Sequence, residues 1–211
     1  MKKILLITTC IIILIIGYYF VSTPSSYKIR NKNPQGKSII CFGDSLTYGT
    51  GASKNMSYPA QLSRMIDQPI INMGIPGETT SMALRRINDV IKLNPKFVLI
   101  TLGGNDLKTG ISKKETFDNL RTIVTTIQKH KTLVIIGGID IPFFSKGFGE
   151  AYKKLARETG SVLIPNIYAG LLIHRELMSD RIHPNNAGYT KLAEKFYKAI
   201  MPYLKSGKQI K

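Results

Sequence analysis

Apolar residues recur along this chain with two periods. Short runs rich in β-branched residues stand at Ile39–Phe42, Ile70–Met73, Phe97–Leu102, Leu133–Ile136 and Val162–Ile164. Each is bounded by Gly, Asn or Pro and has the length of a fully buried parallel strand. Between them the period changes to that of a helix. Leu84, Ile87 and Ile91 share a face after Thr79 and Thr80, and Asn94-Pro95 ends that run. Ser112 and Glu115 have capping-box spacing ahead of Phe117, Leu120, Ile123, Val124 and Ile127. Phe148, Tyr152 and Leu155 share another face closed by Gly160, and a last helix from about Asn186 carries Leu192, Phe196 and Ile200. Strands alternating with helices predict right-handed crossovers and an α/β fold, a three-layer α/β/α sandwich around a five-stranded parallel sheet. Ligands of such sheets bind beyond the carboxyl ends of the strands, so the residues that follow each strand are those to read for chemistry.

The N-terminus follows a different pattern. No residue from Ile4 to Val21 is charged, Lys2 and Lys3 precede the run, and 18 residues in a helix span about 27 Å, enough for a hydrocarbon core. The bulky aromatics and Pro24 around Gly17–Pro24 make poor cleavage sites, which favours a retained signal anchor over a cleaved signal peptide. The expected organisation is a transmembrane signal anchor or signal peptide over 1–21, a polar linker over 22–36, a globular domain over 37–204 and a basic tail over 205–211. Lys28, Arg30, Lys32 and Lys37 follow the span and compete with Lys2 and Lys3 in setting orientation. The basic start ahead of an apolar run nevertheless reads as an export signal. The domain is therefore expected outside the cytoplasm, membrane-anchored at the periplasm or cell surface, or secreted if the segment is cleaved.

Composition narrows the picture further. The 211 residues suit one ordinary domain with an appendage, and two cysteines cannot build a disulfide scaffold. Cys10 in the apolar run and Cys41 in a strand read as packing residues. Lys and Arg number 30 against 13 Asp and Glu, a net charge of +17. Most of these lysines fall on polar helix faces without interleaved aromatics, which argues against nucleic acid. They suit a solvated face, or a surface near anionic lipid or envelope polymer. No pair of histidines at ligand spacing and no cysteine cluster points to a metal, and no cofactor is expected.

The strand ends carry the chemistry. Gly43-Asp44-Ser45-Leu46 follows the first strand and puts a hydroxyl at a strand-to-helix turn, where backbone N–H groups can face a developing anion. Gly74-Ile75-Pro76-Gly77-Glu78-Thr79 follows the second and offers two glycines for close backbone approach. Gly103-Gly104-Asn105-Asp106 follows the third and supplies an amide donor. Asp180-Arg181-Ile182-His183-Pro184 precedes the last helix. Its carboxylate and imidazole, three residues apart, are the base and orienting acid that serine hydrolysis needs. His130 and His174 read as surface residues.

Phe42-Gly43-Asp44-Ser45-Leu46, Gly77-Glu78-Thr79, Gly103-Gly104-Asn105-Asp106 and Asp180-x-x-His183 resemble, in order, the four blocks of the SGNH, or GDSL, hydrolases. The resemblance spans about Lys37 to Leu204 and is nearest to the small bacterial acyl-CoA thioesterase, lysophospholipase and arylesterase type. It implies Ser45 as nucleophile, His183 as general base and then acid, and Asp180 as the group holding the imidazole. It also implies an oxyanion hole from the Ser45 and Gly77 backbone N–H groups and the Asn105 side chain. Gly74 is the rival to Gly77, which is preferred because it directly precedes the acidic residue and Thr. Pro76 stands where the family often has a small polar residue.

The implied activity is serine esterase or thioesterase action on acyl esters, lipase- or lysophospholipase-like, with a small acyl ester or lysophospholipid as substrate and a monomer as the working form. Leu107, Ile141, Pro142 and Phe143 are apolar loop residues that can line an acyl groove. An acetylesterase acting on envelope polysaccharide is the alternative enzyme, and a tethered module binding anionic polymers is the alternative without catalysis.

Overall fold

The computed structural model describes residues 27–141, 144–145 and 147–204. The expected anchor over 1–21, the first part of the linker, the basic tail over 205–211, and Pro142 and Phe143 lie outside the described residues. No helix among the described residues is long and apolar enough to cross a membrane.

β1 (Ser38–Gly43), β2 (Ile70–Gly74), β3 (Pro95–Thr101), β4 (Leu133–Gly137) and β5 (Val162–Ile164) form where β-branched residues run together, within two residues of the expected limits. All neighbours pair in parallel, in the order β2-β1-β3-β4-β5. The chain winds outward from β1 to β2 and then crosses back to β3, so the strand order reverses between β1 and β3. That reversal opens a crevice at the carboxyl ends of these two central strands.

Among the described residues the α-helices are, in chain order, α1 (Ser45–Tyr48), α2 (Tyr58–Ile66), α3 (Thr80–Arg85), α4 (Ile87–Lys92), α5 (Gly104–Thr109), α6 (Lys113–Gln128), α7 (Phe148–Thr159) and α8 (Asn186–Leu204). α2 and α8 pack together on one face, where the Tyr58 and Phe196 rings stack with centroids 4.7 Å apart. On the other face α6 packs against α3, α4 and α7, and Phe117 meets Phe148 and Tyr152 edge to face. Cys41, in the middle of β1, is fully buried, and burial pushes its thiol up to about 12, which suits a packing residue.

Three local features depart from the sequence pattern. The run through Leu84 and Ile91 is two helices, broken at Arg86 (φ −110°, ψ 16°), because the Arg86 side chain turns inward to the Met73 carbonyl and Glu78. α5 is too short to show a period, and its limits are set by Gly103 and Gly110, both in the left-handed region. Residues 27–36, expected within a linker, lie along the N-terminal ends of the strands. The Tyr27 hydroxyl donates to the Ser161 carbonyl at 2.7 Å, and Asn31 Nδ2 donates to the Gln128 and Thr132 carbonyls at 2.9 Å each. These contacts are largely polar, so hydropathy does not reveal them.

Candidate active site

β1 delivers its last residues into a turn with little room. A Cβ on Gly43 would lie 2.3 Å from the Thr101 carbonyl oxygen, so only glycine fits between β1 and β3 there. Asp44 donates its N–H to that same carbonyl at 3.1 Å and caps α1 by accepting the Leu46 N–H at 3.0 Å. Its side chain is buried, and this desolvation pushes the carboxyl up to about 7 against the pull of the Leu46 N–H, with Glu78 adding to the rise. Ser45 is thereby the first residue of α1, and its backbone N–H has no acceptor among the described residues.

The loop before α8 brings the imidazole to that serine. Asp180 Oδ1 accepts the backbone N–H groups of Ile182 and His183 at 2.8 Å each, which folds the loop around its own carboxylate. The other oxygen, Oδ2, lies 2.6 Å from His183 Nδ1, and His183 Nε2 lies 3.0 Å from Ser45 Oγ. Burial works to raise the Asp180 carboxyl, but the hydrogen bonds from His183 and the two N–H groups outweigh it and hold it at about 2. A carboxylate ionised at Nδ1 favours the tautomer that leaves Nε2 able to take the serine proton. The loop is fixed at both ends. Ser179 N–H donates to the His183 carbonyl at 2.9 Å, and Asn186 and Ser53 exchange hydrogen bonds of 2.8 and 3.1 Å that tie the start of α8 to the loop following Ser45.

The two glycines after β2 have different tasks. Gly74 donates its N–H to Asn72 Oδ1 at 2.9 Å, and a Cβ on it would lie 2.1 Å from the Tyr48 backbone nitrogen, so it is the residue that lets α1 pack close to β2. Gly77 has φ +80°, open space where a Cβ would stand, and an N–H without an acceptor among the described residues. Asn105 Nδ2 donates to the Glu78 carbonyl at 2.9 Å and lies 3.5 Å from Asp44 Oδ2. It thus stands between the residue before Ser45 and the residue after Gly77, with only a weak contact on its second hydrogen.

Sequence reasoning did not assign the groups that hold this arrangement. Glu78 is 2% exposed and pairs with Arg86 through both carboxylate oxygens, while the guanidinium also donates to the Met73 carbonyl at 2.9 Å and lies 4.4 Å from the centre of the Phe42 ring. Asp106 is fully buried and accepts the Thr80 N–H at 2.9 Å and the Thr80 hydroxyl, which joins α5 to α3. The signal for both was present as acidic residues beside glycine turns, but their partners lie on neighbouring elements.

Of the expected acyl-groove residues, Leu107 and Ile141 are half-buried against the core. The exposed apolar residues Ile75 and Ile182 stand on the loops that carry Gly77 and His183, and sequence reasoning did not single them out. His130 is exposed, and His174 is exposed and paired with Glu176 at 2.9 Å. Among the described residues no cluster of His, Cys, Asp or Glu is able to hold a metal ion.

The family model described as GDSL-like Lipase/Acylhydrolase matches residues 41–191, from the middle of β1 to the first turns of α8. The chain belongs to that family. It is a serine hydrolase acting on ester bonds. The thioesterase 1/protease 1/lysophospholipase L1 of Escherichia coli is 28% identical over 174 residues, covering 78% of this chain and 84% of the relative. A crystal structure of TesA superposes with a TM-score of 0.75 at 23% identity, covering 79% and 99% of the two chains, which shows a shared fold. The psychrotrophic esterase EstA from Pseudoalteromonas sp., solved with bound monoethylphosphonate, superposes with a TM-score of 0.73 at 27% identity over 80% of this chain and 98% of the other.

Proposed function

We propose that this GDSL hydrolase cleaves acyl esters and thioesters by two-step acyl transfer at Ser45. Ser45 Oγ attacks the acyl carbonyl while His183 Nε2 takes its proton, and the same imidazole returns that proton to the leaving alcohol or thiol. A water then attacks the acyl-enzyme with the roles repeated, releasing the acid and free serine. Asp180 holds the ring in the required tautomer and stabilises the imidazolium that forms. The oxyanion is received by the N–H groups of Ser45 and Gly77 and by the side-chain amide of Asn105, donors held in position before the substrate binds. The observation that carries this reading is the unbroken chain Asp180 Oδ2, His183 Nδ1, His183 Nε2, Ser45 Oγ, with steps of 2.6 and 3.0 Å, beside two backbone N–H groups without acceptors among the described residues.

The exposed Ile75 and Ile182, on the loops that carry Gly77 and His183, and the half-buried Leu107 and Ile141, which follow β3 and β4, support an acyl chain longer than acetyl. The test is hydrolysis of p-nitrophenyl esters from acetyl to dodecanoyl by the full chain and by Ser45→Ala. The expected result is a Ser45-dependent rate that peaks at medium or long chains. A rate confined to acetyl would replace this substrate class with acetyl groups on polysaccharide, and a rate equal in Ser45→Ala would overturn the mechanism.

A further inference from the structure

A second surface lies at the opposite edge of the sheet, where the strands begin. Residues 27–37 run along this edge as a strap. The Arg30 N–H donates to the Gly160 carbonyl at 2.8 Å ahead of β5, the Gln35 N–H to the Lys131 carbonyl at 3.0 Å ahead of β4, and the Lys37 N–H to the Asn94 carbonyl at 2.8 Å ahead of β3. The strap leaves the side chains of Lys28, Arg30 and Lys32 exposed. Exposed Lys129 and Lys131 follow the end of α6, and exposed Arg157 lies in the last turn of α7, so they join the same edge. A depression of about 660 Å³ is lined by Lys28, Arg30, Lys32 and Arg157 together with a single acid, Glu158. That acid is already engaged by Arg121 and, at 3.9 Å, by Lys154.

Two further facts give the surface a direction. The uncharged run ends at Val21, and the interval from there to Tyr27 reaches at most about 22 Å even fully extended. β3 has seven residues and so separates the two edges of the sheet by roughly 20 Å, at least twice the distance over which charge is felt in physiological salt.

We propose that this basic edge docks on an anionic lipid bilayer to which Ile4–Val21 tethers the chain, holding the Ser45 edge toward the aqueous side so that its esters arrive from solution and not out of that bilayer. The proposal rests on the catalytic reading of the Ser45 edge given above. The cations are attracted only within about a Debye length of the lipid surface, and a tether no longer than about 22 Å keeps the strap close enough to the surface to enter that range, where the attraction then holds it.

The test uses the full chain carrying Cys10→Ala, reconstituted in phosphatidylcholine vesicles with and without phosphatidylglycerol. A donor dye is placed at Lys32→Cys on the basic edge or at Lys108→Cys on the catalytic edge, with acceptor dye on the lipid headgroups. In anionic vesicles the basic-edge label is expected to transfer at least about two-fold more than the catalytic-edge label, given the sheet height. That difference is expected to shrink in neutral vesicles, in high salt, and in the combined Lys28→Glu, Arg30→Glu, Arg157→Glu variant. Hydrolysis of a soluble p-nitrophenyl ester by the unlabelled Lys28→Glu, Arg30→Glu, Arg157→Glu chain should stay within about two-fold of the native chain, as for any surface charge far from the chemistry. Equal transfer from both labels, a difference indifferent to lipid charge and to the three reversals, or failure of the chain to float with vesicles would each overturn the proposal. So would a soluble polyglycerol phosphate that strips the basic-edge label from anionic vesicles at a charge concentration well below that of the lipid, because the preferred occupant would then be a polymer. Loss of ester hydrolysis with the label difference intact would strike the catalytic reading and leave the docking face standing.

Discussion

At the carboxyl edge of the sheet the polar groups are aimed at one another, whereas at the opposite edge many are aimed at water. Asp44, Glu78 and Asp106 are nearly or fully buried, and each has a named partner: the Leu46 N–H, Arg86 and Thr80. Lys28, Arg30, Lys32, Lys129 and Lys131 are exposed. Burial makes the first set expensive to disturb, because an unpartnered buried polar group loses its hydration with no return. Exposure makes the second set individually weak, sensitive to salt and additive. Catalysis needs fixed geometry and surface attraction does not, so the two edges should answer mutation in different ways.

The largest effect belongs to the proton path. Ser45→Ala or His183→Ala should lower kcat by roughly 10⁴- to 10⁶-fold, as removal of either member does in other serine hydrolases. Circular dichroism and melting should show a retained fold. Asn105→Ala should lower kcat by about 10²- to 10³-fold, the usual loss for one oxyanion donor, and a rate within a few-fold of the native chain would make the amide a structural tie to the Glu78 carbonyl only.

Arg86→Met leaves Glu78 buried without its partner and should destabilise the fold by about 3–5 kcal/mol. Urea unfolding measures it, and a loss below about 1 kcal/mol, the scale of a surface pair, would show that the carboxylate is not committed to Arg86. Asp44 makes a pH-dependent contribution. Its folded-state pKa of about 7 stands above the ordinary value of 3.8, so the folded form holds the proton more tightly and loses relative stability as pH rises from about 4 to 7. Asp44→Asn keeps an oxygen to cap α1 and removes the ionisation. Its Tm should rise relative to the native chain between pH 4 and pH 7 and run parallel to it above, whereas a constant difference would show that the carboxyl is not raised. The smallest effect belongs to the basic edge, where reversing Lys28, Arg30 and Arg157 together should alter kcat/KM for a soluble ester by no more than about two-fold, within surface-charge effects.

The sequence was informative where chemistry and periodicity are local. The five strands are visible as β-branched runs, and Ser45, Gly77, Asn105, Asp180 and His183 stand out as candidates because each follows a strand or precedes a helix in a recognisable block. What stayed hidden depends on contacts between distant segments. Arg86 looks like one more cation on an amphipathic helix until Glu78, eight residues earlier, is seen beneath it. The division of labour between Gly74 and Gly77 is set by how closely Tyr48 approaches. The strap over 27–37 reads as a linker because backbone groups and an asparagine hold it in place, and those leave no hydrophobic trace.

The central claim is that Ser45 is the acyl-bearing nucleophile of this edge. Its most direct test is treatment of the full chain with a fluorophosphonate ester, followed by peptide mass spectrometry. The account predicts one phosphonate adduct on the peptide containing Ser45, absent from Ser45→Ala and strongly slowed in His183→Ala. An adduct on another residue, or labelling that persists in Ser45→Ala, would contradict it.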